Sequence, residues 1–215
     1  MRLWVWILGA ALGAGCGPPI PEEEPPDAAG TLWPSTQGSF WRYRIDDPVR
    51  GSFEKRVTVE GPAKVPGTDR DAVLFKSVQP YLEERSYEVE SDGVVRRAYE
   101  EDYKGGALAR ETTWAPEVTK MLSAPRAVGF ELHEVVTETV TEAGATTQTR
   151  KEFTWRVIAV DVPWTVAGKA VKAIEIQRDR PDKVGKERRY WLVPGIGKVH
   201  EEGERTEELV EYQVK

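Results

Sequence analysis

His133 and His200 are the only histidines and Cys16 the only cysteine in this chain of 215 residues. Such a set builds neither a structural zinc site, which takes four Cys or His ligands, nor a disulfide framework. His133-Glu134 opens like the zinc-protease pattern, where two histidines one helical turn apart hold the metal and the glutamate activates water. Thr137 stands where the second histidine belongs, so the pattern is incomplete. His200 sits between strand residues and beside Glu201 and Glu202. Both histidines read as ordinary strand residues. A serine nucleophile on its sharp turn needs Gly-x-Ser-x-Gly, and the chain has none. Pro194-Gly195-Ile196-Gly197 is no phosphate loop, because Leu192 and Val199 stand where a Walker motif requires Gly and Ser or Thr. Asp179 to Gly185 lacks the oxygen spacing of a calcium loop. The adjacent carboxylates Glu83/Glu84 and Glu100/Glu101 fall on opposite faces of strands, cannot cooperate as acid and base, and are expected to face solvent as edge charges. The expectation is a protein that is not an enzyme and uses no cofactor and no metal.

Aromatic residues are the remaining chemistry. Trp33, Trp41, Tyr43, Trp114, Trp155, Trp164 and Trp191 are many for one small domain. Large rings pack well beneath a curved sheet. The alternative is a cavity for an acyl chain or another apolar ligand, with Trp41, Tyr43, Trp155 and Trp191 as its face.

The elements that position these residues are strands. Trp41, Tyr43 and Ile45 alternate with Arg42, Arg44 and Asp46; Phe53, Val57 and Val59 alternate with Glu54, Arg56, Thr58 and Glu60. Period two with one apolar and one charged face is the mark of a half-buried strand. Further strands are expected over 71–79, 81–90, 94–103, 130–142, 147–161, 170–179, 186–193, 198–203 and 206–214. Asp92-Gly93 and Ala143-Gly144-Ala145 join two pairs of these as hairpins. Residues 114–126 read as a loop with one helical turn. Val59-Glu60-Gly61 and Val166-Ala167-Gly168 are compatible with an internal duplication, and equally with an ordinary meander. The fold class is all-β: a single domain, residues 33–215, forming a curved antiparallel sheet or half-barrel of about 10–12 strands with almost no helix.

Ahead of this domain, Arg2 precedes an uncharged apolar run from Leu3 to Leu12. Ten residues are too few for a bilayer span, which takes about 20, and suit the apolar region of a signal peptide over residues 1–15. Gly13-Ala14-Gly15-Cys16 resembles a bacterial lipobox, in which the cysteine is lipidated and becomes the new N-terminus; Gly13 departs from the usual large aliphatic residue, with Leu12 one place earlier. Residues 16–32 follow as the lipidated Cys16 and a Pro/Glu-rich tether with five prolines and four acids. At about 3.1 Å per residue such a segment reaches roughly 50 Å. The family's sorting rule, applied to Gly17, implies the outer membrane. The expected localisation is the bacterial cell envelope.

Gly38-Ser39-Phe40-Trp41-Arg42-Tyr43 follows the tether, a loop with Pro116 and Pro125 leads to Gly129, Val166-Ala167-Gly168-Lys169 precedes an Ala173-Ile174-Glu175-Ile176 strand, and Tyr190-Trp191-Leu192-Val193-Pro194-Gly195-Ile196-Gly197-Lys198-Val199 leads into a strand with Leu209 and Tyr212. This order resembles a broad group of uncharacterised bacterial lipoproteins. The resemblance implies a curved antiparallel sheet similar to the half-barrels of the lipoprotein-localisation carriers, and it carries over no catalytic residue.

Composition bounds the function. Hydrophobic residues at 40% and charged residues at 31% are those of a folded globular chain. A net charge of −6 excludes nucleic acid as a partner, since phosphate binding needs a basic footprint. The expected role is a non-enzymatic binding or assembly module, attached to the membrane through its N-terminal lipid and contacting a protein partner in the envelope. The alternative is a carrier or sensor of a hydrophobic ligand.

Overall fold

The computed structural model describes residues 30–215; the signal segment, Cys16 and the tether through residue 29 lie outside the described residues. The chain forms twelve strands: β1 (Phe40–Asp47), β2 (Gly51–Lys64), β3 (Asp71–Gln79), β4 (Leu82–Ser91), β5 (Val94–Lys104), β6 (Ala107–Leu122), β7 (Glu131–Glu142), β8 (Ala145–Val166), β9 (Lys169–Asp179), β10 (Arg188–Val193), β11 (Gly197–Glu202) and β12 (Thr206–Gln213). Each pairs antiparallel with its neighbours in sequence, and β1 pairs with β12, so the sheet closes into a barrel.

Local chemistry sets this up-and-down order. Asp92-Gly93, Gly105-Gly106, Ala143-Gly144 and Ala167-Gly168 all have positive φ, which matches the twist of two-residue hairpins. Gly61 marks a bulge inside β2: its φ is +113°, and a Cβ there would lie 2.7 Å from the Gln37 side chain. It therefore has no structural counterpart in the Ala167-Gly168 hairpin turn, and the fold is a meander.

Residues 114–122, expected to be loop, belong to β6. This strand stays paired with β5 as far as Leu122, but its pairing with β7 stops at Ala115. Pro116 has no N–H to give the ladder. Beyond it the Glu134 carboxylate replaces a strand partner. It accepts from the Thr119 N–H at 3.1 Å and from the Thr119 hydroxyl at 2.8 Å. The glutamate of the His133-Glu134 dipeptide is thus a splice between β6 and β7.

Alternation makes one face the outer wall and the other the lumen. Outside, Arg42 on β1 bridges Glu54 on β2 at 2.5 Å and Glu211 on β12 at 2.8 Å, with Arg44 and Arg56 beside them. A membrane-spanning barrel carries an apolar band about 25 Å tall on this face; these charged positions face water. Inside, one end of the barrel is packed with apolar side chains. Thr31 and Leu32 lie across it. The Leu32 N–H donates to Ser123 O at 2.7 Å, and the Gly195 N–H donates to Thr31 O at 2.9 Å. Leu32 is fully buried among Met121, Leu122, Trp155, Ile176 and Leu192. Thr31 and Leu32, just ahead of Trp33, are therefore part of the packed barrel.

Replacing Leu32 by Ala is expected to cost about 2–5 kcal/mol of stability in urea denaturation, because the cavity left cannot collapse against a rigid barrel. A loss within about 0.5 kcal/mol, the range of surface substitutions, would show that this segment does not close the barrel.

Candidate functional site: a charged lumen

Above the apolar floor the lumen holds a cavity of about 350 Å³. Nine lysine and arginine side chains and six glutamates border it, so in a chain of net charge −6 the lumen carries an excess of positive charge.

One wall is built by β1, β2, β11 and β12. Glu207, fully buried, accepts from Lys198 Nζ at 2.7 Å, from Arg205 at 2.7 Å and from Lys55. Lys198 also pairs with Glu201, and the Tyr43 hydroxyl donates to Lys198 O at 3.0 Å. Burial alone would raise the Glu207 carboxyl; Lys198, Lys55 and Arg205 outweigh it and hold the group well below the ordinary carboxylate range. Lys198 is raised, because Glu201 and Glu207 overcome its desolvation. Lys55 is lowered to about 8 by burial and by Lys198 beside it. These positions were within reach of the sequence: Lys55 interrupts the apolar face of Phe53, Val57 and Val59, and Glu207 shares a face with Leu209.

The facing wall is built by β4, β5 and β6. Oxygens of Glu84, Glu100 and Asp102 lie within 4.8 Å of one another. Arg97 pairs with Glu100 and lies 3.2 Å from Glu84, while Arg110 lies 2.6 Å from Asp102 and 3.6 Å from Glu100. The two guanidinium groups pair with all three carboxylates, which makes the cluster an ion-pair node, while Asp102 Oδ1 is buried without a partner among the described residues. Glu84 and Glu100 thus point into the barrel. The expectation of solvent-facing pairs fails because closure turns one face of every strand inward. Glu88 accepts from Trp33 Nε1 at 2.8 Å and from Ser86 Oγ at 3.0 Å, and burial raises its carboxyl. Lys120 has no carboxylate within 4 Å among the described residues; burial and then Arg97 push it down to about 8.

The third wall, β8 to β10, presents Lys151, Phe153, Arg178, Arg180, Arg188 and Tyr190 to the cavity. Lys151 pairs with Glu138, Arg180 with Asp182 at 2.6 Å and Arg188 with Glu201 at 3.1 Å.

The aromatic residues expected to form one face are divided. Trp41 and Tyr43 line the lumen. Trp155 lies in the apolar floor, fully buried, stacked on Tyr190 at 5.7 Å with its Nε1 donating to Glu134 at 3.4 Å. Trp191 alternates with Tyr190 and lies on the opposite face of β10, stacked on Trp164 at 5.5 Å and against His200 at 5.0 Å. His200 Nδ1 lies 2.7 Å from Glu208. His133 has an exposed side chain next to Thr154 and Glu152.

No protein-family description matches the chain, and no curated protein matches it. Among solved structures, a protein from Parabacteroides distasonis ATCC 8503, provisionally described as a lipoprotein, aligns over 86% of this chain and 99% of its own, with 11% identity and a TM-score of 0.42. A likeness at that level establishes neither a shared fold nor a shared function.

Glu207→Gln leaves Lys55, Lys198 and Arg205 facing one another without their shared counter-charge. The expected loss is about 3–5 kcal/mol at neutral pH, measured by chemical denaturation. Since the folded Glu207 lies below its ordinary value of 4.5, its contribution is complete above that pH and fades as pH falls through the folded value. The gap between wild type and variant should therefore narrow in acid; a gap independent of pH would show that the charge of Glu207 is not what the network uses.

Proposed function

We propose that the protein is a lipid-anchored, non-enzymatic binding module of the bacterial envelope. Cys16 carries the lipid, the Pro/Glu-rich segment spaces the barrel from the membrane, and the lumen takes up a small polar molecule. The observation that supports it most is the cavity, walled by ionised side chains above an apolar floor. Charges held out of bulk water cost stability that an apolar filling would not; a barrel acting only as a spacer has no use for them. The charged outer wall supports a barrel standing in water, which leaves membrane attachment to Cys16. Gly17 after the cysteine favours the outer membrane. A closed barrel offers no free edge strand, so a protein partner would meet its loops and hairpins.

A hydrophobic ligand is the weaker alternative. Trp41 and Tyr43 do border the cavity, but an acyl chain there would strip water from the part-exposed Lys151, Arg188 and Arg205 without replacing its hydrogen bonds.

Cys16→Ser in the full chain is expected to move the protein from the detergent-extracted membrane fraction to the soluble periplasmic fraction. Unchanged retention would refute anchoring through that residue. Native mass spectrometry of the released variant should find a polar small molecule; a retained lipid would transfer the cavity to the alternative.

A further inference from the structure

Arg178 lies at the centre of the β8–β10 wall. Its cross-strand neighbours are Trp155 on β8 and Arg188 on β10. Two arginines directly opposite each other repel and destabilise a sheet. Arg188 is compensated by Glu201 at 3.1 Å and Glu204 at 3.6 Å. Arg178 is not: among the described residues no carboxylate lies within 4 Å of its guanidinium, and its Nε is buried without an acceptor. Its Cζ lies 5.4 Å from the ring centres of Phe153 and of Trp155 and 5.9 Å from that of Tyr190. These rings hold the guanidinium in place but accept none of its five N–H donors. No carboxylate of β8, β9 or β10 borders the cavity at this wall.

Resting on the reading of the lumen as a ligand site, we propose that Arg178 anchors an oxyanion: the carboxylate or phosphate group of a small organic molecule whose ring or carbon frame lies along Phe153 and Tyr190. A guanidinium fork matches both groups bidentately. The excess of cations over glutamates around the cavity gives an anion a favourable field on entry. A cavity of about 350 Å³ sits at the small end of the range for small-molecule pockets, which suits a single ring with one anionic group.

The test is isothermal titration of the full-length protein, purified in a non-ionic detergent, with benzoate, phenyl phosphate and the neutral phenyl glucoside. Saturable binding of at least one anion, in the range of about 1 mM or tighter, is expected, with the better of the two identifying the group. Arg178→Met should weaken it at least about tenfold, and Arg178→Lys, which keeps the charge but not the fork, by less. Arg56→Met, on the outer wall, should leave it unchanged. Near-ultraviolet circular dichroism establishes that each variant keeps its packing. Anion binding unaltered in both Arg178 variants overturns the assignment. Binding of the glucoside alone overturns it while leaving the lumen a ligand site; binding of none of the three overturns both.

Discussion

The last strand returns to the first, and the register from Phe40 opposite Gln213 to Asp46 opposite Thr206 turns a meander into a cylinder. Closure removes both sheet edges, and it also encloses whatever the inward faces carry. About eight strands make a lumen that side chains just fill, and the diameter grows with strand number. Twelve strands leave more room than apolar side chains from a single layer can occupy. The chain fills one end with Leu32, Met121, Leu122, Trp155 and Leu192, and leaves a charged cavity above them.

The charges inside are held by partners on other strands more than by neighbours in sequence. Glu207 gathers Lys55, Lys198 and Arg205; Glu100 gathers Arg97 and Arg110. Each of these networks ties strands together along the wall, and each depends on every member being present, because an uncompensated buried charge costs more than the pair contributes. Among the described residues, two of the cations that border the cavity have no carboxylate partner within 4 Å. Lys120 has no carboxylate in reach among the described residues and is driven toward neutrality. Arg178 cannot lose its proton in the same way, so its donors stay available to whatever enters the cavity.

Much of the scaffold was legible in the chain. Strict alternation at Trp41, Tyr43 and Ile45, and the pairs Asp92-Gly93 and Ala143-Gly144, predict strands and hairpins that the structure contains. The continuation of β6 past Pro116 runs against the local pattern of residues 114–126. It depends on Glu134 arriving from β7 to satisfy the Thr119 N–H, a contact with no local signature. Residue type groups the aromatics together, whereas the barrel sorts them by parity: Tyr190 faces the lumen, and Trp191 beside it faces the opposite way.

The sequence by itself determined what short-range sterics and period-two patterning control: the strand content, the hairpin turns, the apolar stripe of each strand and the cysteine that follows an apolar leader. Tertiary structure alone decided which charges meet. Lys55 and Glu207 are 152 residues apart in the chain, yet their side chains pair inside the barrel. Alternation assigns a residue to a face, but only closure makes one face an interior. Only the registers between strands far apart in the chain decide whether a charge there, like Glu207, is compensated or, like Arg178, is left with its donors unused.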